Sequence, residues 1–262
     1  MQLPLYQVDA FTDWVFHGNP AAVVPLDEWL PDAVLQGIAA ENNLAETAFF
    51  VPRGPQGDGY HLRWFTPEVE VRLCGHATLA SAFVVFQFLQ PELRSVVFES
   101  KSGPLTVNRE GPLLTLDFPA LPARPCETPP ALVEALGATP QAVLLSRDYL
   151  VVYESEAQVR DLAPRLDRLR FDEALGVIVT APGTDCDFVS RFFAPGAGVP
   201  EDPVTGSAHC TLTPYWSERL ARKSLHARQV SRRGGELWCE DCGERVRISG
   251  HAVLYLEGRI RI

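Results

Sequence analysis

Two distant segments of this sequence share one pattern, and that repetition restricts the fold more than any single motif does. "LRWFTPEVEVRLCGHA" begins at Leu62 and "SRFFAPGAGVPEDPVTGSA" begins at Ser190. Arg63 and Arg191, like Pro67 and Pro195, lie 128 positions apart (191 − 63 and 195 − 67), and after a three-residue insertion Gly75 answers Gly206. Upstream, "TAFFVP" ending at Pro52 parallels "VIVTAP" ending at Pro182. The offset is close to half of the 262 residues, so the pattern predicts two copies of one supersecondary unit.

The character of that unit follows from periodicity. Short strand-like runs such as "LYQVDAF", "AAVVPL", "YHLRWF", "LLTLDF", "DFVSRFF" and "AVLYLE" dominate. Helical periodicity is confined to Pro31–Asn42, the run after Gly75, Pro129–Leu136, Glu156–Leu162 and the segment after Gly206. Strands outnumber helices and do not alternate with them one for one, which argues against an all-parallel sheet and for an α+β fold. The expected arrangement is two similar lobes, each a mostly antiparallel sheet wrapped around a central helix. The N-terminal lobe covers 1–115, with the strand at 250–262 available to complete it. The second lobe covers 116–249, and the active site is expected in the cleft between them.

Composition narrows the partners. Lys and Arg number 23 against 33 Asp and Glu, a net charge of −10 that disfavours nucleic acid and anionic membrane surfaces. "MQLPLYQVDAF" alternates like a strand rather than a signal peptide, so a cytoplasmic location is expected. The uncharged run from Leu73 to Leu89 is short for a membrane span and reads as a core helix. Cysteines at 74, 126, 186, 210, 239 and 242 are too dispersed for a disulfide framework and are expected as free thiols. "CEDC" at 239–242 has zinc-like spacing but no second pair nearby, and Gly243 makes it a hairpin turn. Neither glycine-rich nucleotide loop is present, so no cofactor and no metal is expected.

Several residues have the chemistry of a proton-transfer site. Glu46 precedes the apolar "AFF"; desolvation there would raise its pKa toward neutrality, as a general acid/base requires. The commoner fate of a lone glutamate is an edge strand facing solvent. His76 follows Gly75 at one helix start; an isolated histidine is more often structural. Asp202, just before Pro203, has the ordinary alternative of a helix cap. The repeat places His76 opposite Ser207, with Asp202 beside it. Gly75 and Gly206 each open a helix, whose start attracts an anion, most simply a carboxylate.

"GNPAAVV" at 18–24, "NLAETAFF" at 43–50, "LCGHATLASA" at 73–82, "EDPVTGSAH" at 201–209, "VSRRGGEL" and "RVRISGHAVLYLEG" together resemble the signature segments of the PhzF-like isomerase family of phenazine biosynthesis. The resemblance implies a diaminopimelate-epimerase-type fold of two α+β lobes. It also implies an acid/base role for Glu46, assistance from His76, Asp202 and Ser207, and a place for Asn19 at the site. The related epimerases use two cysteines, one per lobe. Here Cys74 occupies the first such position, but the repeat pairs it with Thr205, so a two-thiol mechanism is not supported and Cys74 reads as a packed core residue. The expectation is a cofactor-independent isomerase acting on a small carboxylate, bound by Asn19, Gly75, Gly206 and Ser207, with Glu46, His76 and Asp202 catalytic. An amino-acid epimerase or racemase and a non-catalytic carboxylate-binding protein are the alternatives. A homodimer is left open.

Overall fold

The computed structural model describes residues 1–54 and 59–262. They form two compact units, Met1–Asp117 with Ser249–Ile262, and Phe118–Ile248. In the first unit β1 (Gln2–Ala10) pairs antiparallel with β2 (Asn19–Pro25), and helix α1 (Asp32–Asn42) crosses over to β3 (Glu46–Pro52), parallel to β2. The antiparallel strands β4 (Tyr60–Phe65) and β5 (Glu70–Val71) lead to helix α2 (Gly75–Val84), which runs into a π-helical turn at Val85–Leu89. The chain then forms β6 (Ser95–Ser100), parallel to β4, and the hairpin-linked β7 (Gly103–Glu110) and β8 (Leu113–Pro119).

Helix α2 is the centre of this unit. It packs against β1, β2 and β3, and every residue from His76 to Val84 except Phe83 is buried. A helix apolar all round is stable only when enclosed. Its two buried hydroxyls bond back into the helix, Thr78 Oγ1 to the Cys74 carbonyl at 2.5 Å and Ser81 Oγ to that of Ala77 at 2.7 Å. Helix α1 covers the other side of β3, where Phe49 and Val51 join Leu35, Ile38 and Ala39 in one cluster. Phe50 instead meets Tyr60 and Phe98. Both faces of β3 are covered, which is why "AFFV" is continuously apolar.

The second unit repeats this order. After β9 (Arg124–Pro125) and α3 (Pro130–Leu136), β10 (Ala142–Leu145) pairs antiparallel with β11 (Tyr149–Val152), and α4 (Glu156–Asp161) crosses to β12 (Val177–Pro182), parallel to β11. The antiparallel β13 (Phe188–Ala194) and β14 (Val199–Asp202) lead to the central helix α5 (Gly206–Leu220). There follow β15 (Ser224–Gln229), parallel to β13, then β16 (Gly235–Asp241) and β17 (Arg245–Gly250). The outer edge of β10 is taken by β9, while that of β1 is taken by the last strand, β18 (Ala252–Arg261). Each unit is thus closed by a strand that the chain supplies after completing the body of the other. The five helices lie where sequence periodicity places them, with differences of one residue at their ends.

The recurring arginines have a physical reason. Arg63 makes a two-pronged pair with Glu70 at 2.8 and 2.9 Å, and Arg191 makes the same pair with Glu201 at 2.7 and 3.0 Å. Their guanidinium carbons sit 5.0 Å from the Phe65 ring centre and 4.9 Å from that of Phe193. The fork ties each short strand leading into a central helix to its neighbour. Arg191 also donates to the Val159 and Leu162 carbonyls near the end of α4. Arg191→Met is therefore expected to lower unfolding stability by about 2 kcal/mol, with Arg191→Lys restoring less than half, because an ammonium lacks the fork. Urea titration of the full chain measures this; an unchanged midpoint in Arg191→Met would refute it.

Pro214 lies inside α5 and cannot donate to the Cys210 carbonyl one turn earlier. The Leu121 N–H takes that carbonyl at 2.9 Å, so the helix continues with its backbone satisfied. Trp216 stacks on Phe188 with ring centres 5.6 Å apart and donates to Thr180 Oγ1 at 3.0 Å. Among the described residues no helix is long and apolar enough to cross a membrane.

Candidate active site

In the first unit three separate sequence segments converge on one imidazole. Asn19 is the first residue of β2, opposite Ala10, and Gly18 before it has φ +63° and sits so close to the chain that a Cβ would lie 2.2 Å from the Ala10 oxygen. Only glycine fits that approach. Glu46 is the first residue of β3, in register with Ala21 of the parallel β2. His76 is the second residue of α2, the helix these strands cover. The result places Asn19 Nδ2 3.2 Å from His76 Nδ1 and Glu46 Oε2 3.1 Å from His76 Nε2. Gly75 opens the same helix, and Cys74 precedes it.

Cys74 does more than fill space. Its sulfur lies 3.5 Å from His76 Nδ1, so Nδ1 has two partners of different kinds. An imidazole protonated only at Nε2 accepts from the Asn19 amide. An imidazolium instead donates from Nδ1 to the sulfur. The ring therefore keeps a partner in either charge state.

The electrostatics differ from what burial alone dictates. Burial raises the Glu46 carboxyl, but the charge and hydrogen bond of His76, with the Cys74 thiol, outweigh it and hold Glu46 below its ordinary 4.5. The sequence expectation of a raised pKa is overturned by a partner thirty residues away. Burial likewise pushes His76 down, yet the Cys74 sulfur and the Glu46 carboxylate leave it well above 6.5. Burial and the Glu46 charge push the Cys74 thiol up to about 11, so near neutral pH the sulfur is uncharged and Glu46 supplies the field on His76. The resting site is a buried carboxylate–imidazolium pair. Its contribution to stability is lost in acid as pH falls through the lowered Glu46 value, and in base as pH rises through the raised His76 value.

One atom in this arrangement is left over. Glu46 Oε2 is buried and, among the described residues, has no well-aligned donor, His76 Nε2 being within reach but off the favourable angle. Buried carboxylate oxygens are ordinarily satisfied, and the imidazolium 3.1 Å away meets that need by charge more than by alignment.

The second unit carries the other sequence-predicted residues as a separate cluster. Asp202 ends β14, and its Oδ2 accepts from Thr205 Oγ1 at 2.5 Å. Thr205, not Asp202, occupies the cap position of α5. Gln229, which sequence reasoning passed over, is buried and stitches this turn. Its Oε1 accepts from the Thr205 N–H at 2.8 Å, and its Nε2 donates to the Asp202 carbonyl at 2.7 Å. No motif flags a lone glutamine at a strand end. His209 Nδ1 donates to the Thr205 carbonyl at 2.8 Å, and burial pushes its pKa down to about 4, so it stays neutral. Gly206 opens α5, and Ser207 Oγ accepts from Arg147 Nη2 at 3.0 Å. Arg147 was also missed, because its only sequence signal is proximity to the buried Asp148, which it grips at 2.7 Å. Burial pushes the Cys210 thiol up to about 12. The "CEDC" segment is not itself the expected turn: Cys239, Glu240 and Asp241 end strand β16, and the chain turns only from Cys242, whose N–H bonds the Arg245 carbonyl at 2.9 Å; Cys239 is buried and Cys242 exposed.

Comparison with known proteins shows the family of the chain. Residues 8–258 match the sequence profile of the PhzC-PhzF family, described as phenazine biosynthesis-like proteins. A protein of Pseudomonas aeruginosa described as an uncharacterized isomerase is 53% identical over 262 residues, covering 100% of both chains. The crystal structure of a phenazine biosynthesis PhzF-family protein of Enterococcus faecalis matches with TM-score 0.97 at 48% identity, again over 100% of both chains. A structure named a predicted epimerase of Pseudomonas aeruginosa, 21% identical with TM-score 0.74 over 98% of this chain and 99% of its own, shares the fold. With its doubled α+β units and its matching segments, the chain belongs to the PhzC-PhzF family of phenazine biosynthesis-like proteins.

Proposed function

We propose that the protein is a cofactor-independent isomerase that moves a proton between two carbons of a small carboxylate-bearing substrate, with Glu46 as the shuttle. The observation that carries this reading is the buried Glu46 Oε2, ionised beside His76 and lacking a well-aligned donor. A substrate C–H bond directed at that oxygen breaks, its proton forms an O–H bond, and the electron pair delocalises into an adjacent unsaturated system. The same oxygen then returns the proton at a second carbon. His76 stays in place as an imidazolium while Glu46 is neutral, so its charge offsets the anion on the substrate without any reorganisation. A single carboxylate acting twice favours a shift along one face. The Cys74 and Cys210 thiols, pushed up to about 11 and 12, are poor candidates for a two-thiol epimerisation.

The substrate carboxylate is assigned to helix-start chemistry at Gly75, with Asn19 as a hydrogen-bonding group, and Gly206 with Ser207 offers the same chemistry in the second unit. Asp202 is assigned as the second catalytic carboxylate. The test is incubation of the protein in heavy water with a panel of small unsaturated and 2-amino carboxylic acids, followed by NMR. Deuterium at a new carbon with a shifted double bond is the expected result. Inversion at a single carbon would indicate an epimerase, and binding without exchange would indicate a carboxylate-binding protein.

The pH profile of turnover provides a separate check. A coupled pair with Glu46 lowered and His76 raised gives a broad plateau, its acid limb below 4.5 and its alkaline limb above 6.5. A profile that rises only toward neutral pH would contradict the ionised resting carboxylate.

A further inference from the structure

The last strand presents an edge that the chain leaves open. β18 pairs with β1 and lies against α2, and among the described residues no strand takes its other edge. From Leu256 to Arg261 the pairing with β1 is regular, the one register shift lying at Tyr255. Long edges are ordinarily blunted by proline, lysine or a covering loop. β18, "AVLYLEGRIR", contains neither proline nor lysine. Its side chains are open to solvent: Tyr255 is 47% and Leu256 40% exposed, and Phe16, 65% exposed, meets Tyr255 edge to face. Exposed aromatic and aliphatic groups beside an unpaired strand mark an association surface. Gly258 adds an independent observation. Its φ is not in the left-handed region, and a Cβ there would meet only Leu256 Cδ2 at 3.6 Å, an ordinary contact. Among the described residues nothing calls for glycine in the middle of this strand, which it weakens; close approach of another backbone is what does.

We propose that β18 pairs antiparallel with β18 of a second copy of this chain, about a two-fold axis through Gly258, to form a homodimer joined edge to edge. The order Leu256-Glu257-Gly258-Arg259-Ile260 is complementary to itself in that register. Glu257 faces the partner's Arg259, Arg259 faces the partner's Glu257, and Leu256 faces the partner's Ile260. The two glycines meet on the axis, where their backbones approach without side chains between them. Opposite charges directly across a strand pair attract and like charges repel. Registers centred on Glu257 or on Arg259 set like charges against each other, so charge selects the one centred on glycine. A two-fold interface uses the same patch on both copies, and this self-complementarity identifies the occupant as a second copy of the chain. The proposal does not rest on the isomerase reading, because no residue of this edge belongs to the Glu46 and His76 site.

The experiment is analytical ultracentrifugation of the full chain at micromolar concentration, with circular dichroism as the check on folding. The wild type is expected to sediment at twice the mass of one chain. Glu257→Arg and Arg259→Glu each set like charges across the axis at both symmetric positions, and each is expected to weaken the dimer roughly tenfold or more. An equimolar mixture of the two variants restores association, because every facing pair is then opposite in sign. A chain carrying both substitutions restores it too, which decides the matter if a single variant folds poorly. A wild type that stays monomeric overturns the proposal and leaves the edge to a different partner. A dimer that neither reversal weakens overturns the β18 interface. Folded single variants that fail to associate when mixed overturn the register centred on Gly258.

Discussion

Glu46→Gln is expected to lower the rate of proton transfer by about 10²–10⁴-fold while leaving the fold intact, the loss typical of removing a positioned general acid/base. The amide is nearly the same size as the carboxylate, so the packing of β3 against α2 is kept. What disappears is an oxygen basic enough to take a proton. The substitution also removes the charge that raises His76, so the imidazole of the variant becomes neutral near neutral pH and accepts from Asn19 at Nδ1. Ligand affinity should change far less than the rate, because the helix-start groups are untouched. Exchange into substrate in heavy water, compared at saturating substrate, measures the effect. Full turnover in Glu46→Gln would remove this residue from the mechanism.

His76→Leu is expected to be the most destabilising change at the site, costing about 3–5 kcal/mol at neutral pH, because it leaves a buried carboxylate with no counter-charge. The sign of its pH dependence separates this cause from simple loss of packing. Without the imidazolium, burial alone acts on Glu46 and moves its folded pKa above 4.5, so the variant gains stability as pH falls through that raised value. The wild type behaves oppositely: its Glu46 is held below 4.5 and its pair loses stability on acidification. Adding Glu46→Gln to His76→Leu should recover much of the loss, since no charge then remains to be buried. Denaturant unfolding of both single variants and the double variant at neutral and acidic pH tests this. A double variant as unstable as His76→Leu alone would show that packing, not charge, dominates.

The fold was readable in the sequence to an unusual depth, because its determinants are local or repeated. Glycines and prolines delimit helices and turns through their own backbone restrictions, and the two-residue alternation of strands is visible without a partner strand. The Arg63 and Arg191 segments reveal a doubled α+β unit, since each copy needs the same fork to Glu70 or Glu201. Family membership is legible for a related reason: the short segments around Asn19, Glu46, Cys74 and Ser207 carry the resemblance, and the profile match runs over residues 8–258.

The sequence by itself thus determined the elements, their doubled order and the residue types near each helix start. Only the tertiary structure decided what those residues are to one another. That Glu46 rests ionised depends on His76 Nε2 at 3.1 Å. That His76 can change charge without losing a partner depends on Asn19 and Cys74 meeting at one nitrogen. That Asp202 holds Thr205 rather than capping a helix depends on a buried Gln229 twenty-four residues beyond Thr205. Coulomb and hydrogen-bond energies vary over a few ångströms of space, and separation along the chain does not specify that distance until the strands have closed around their central helix.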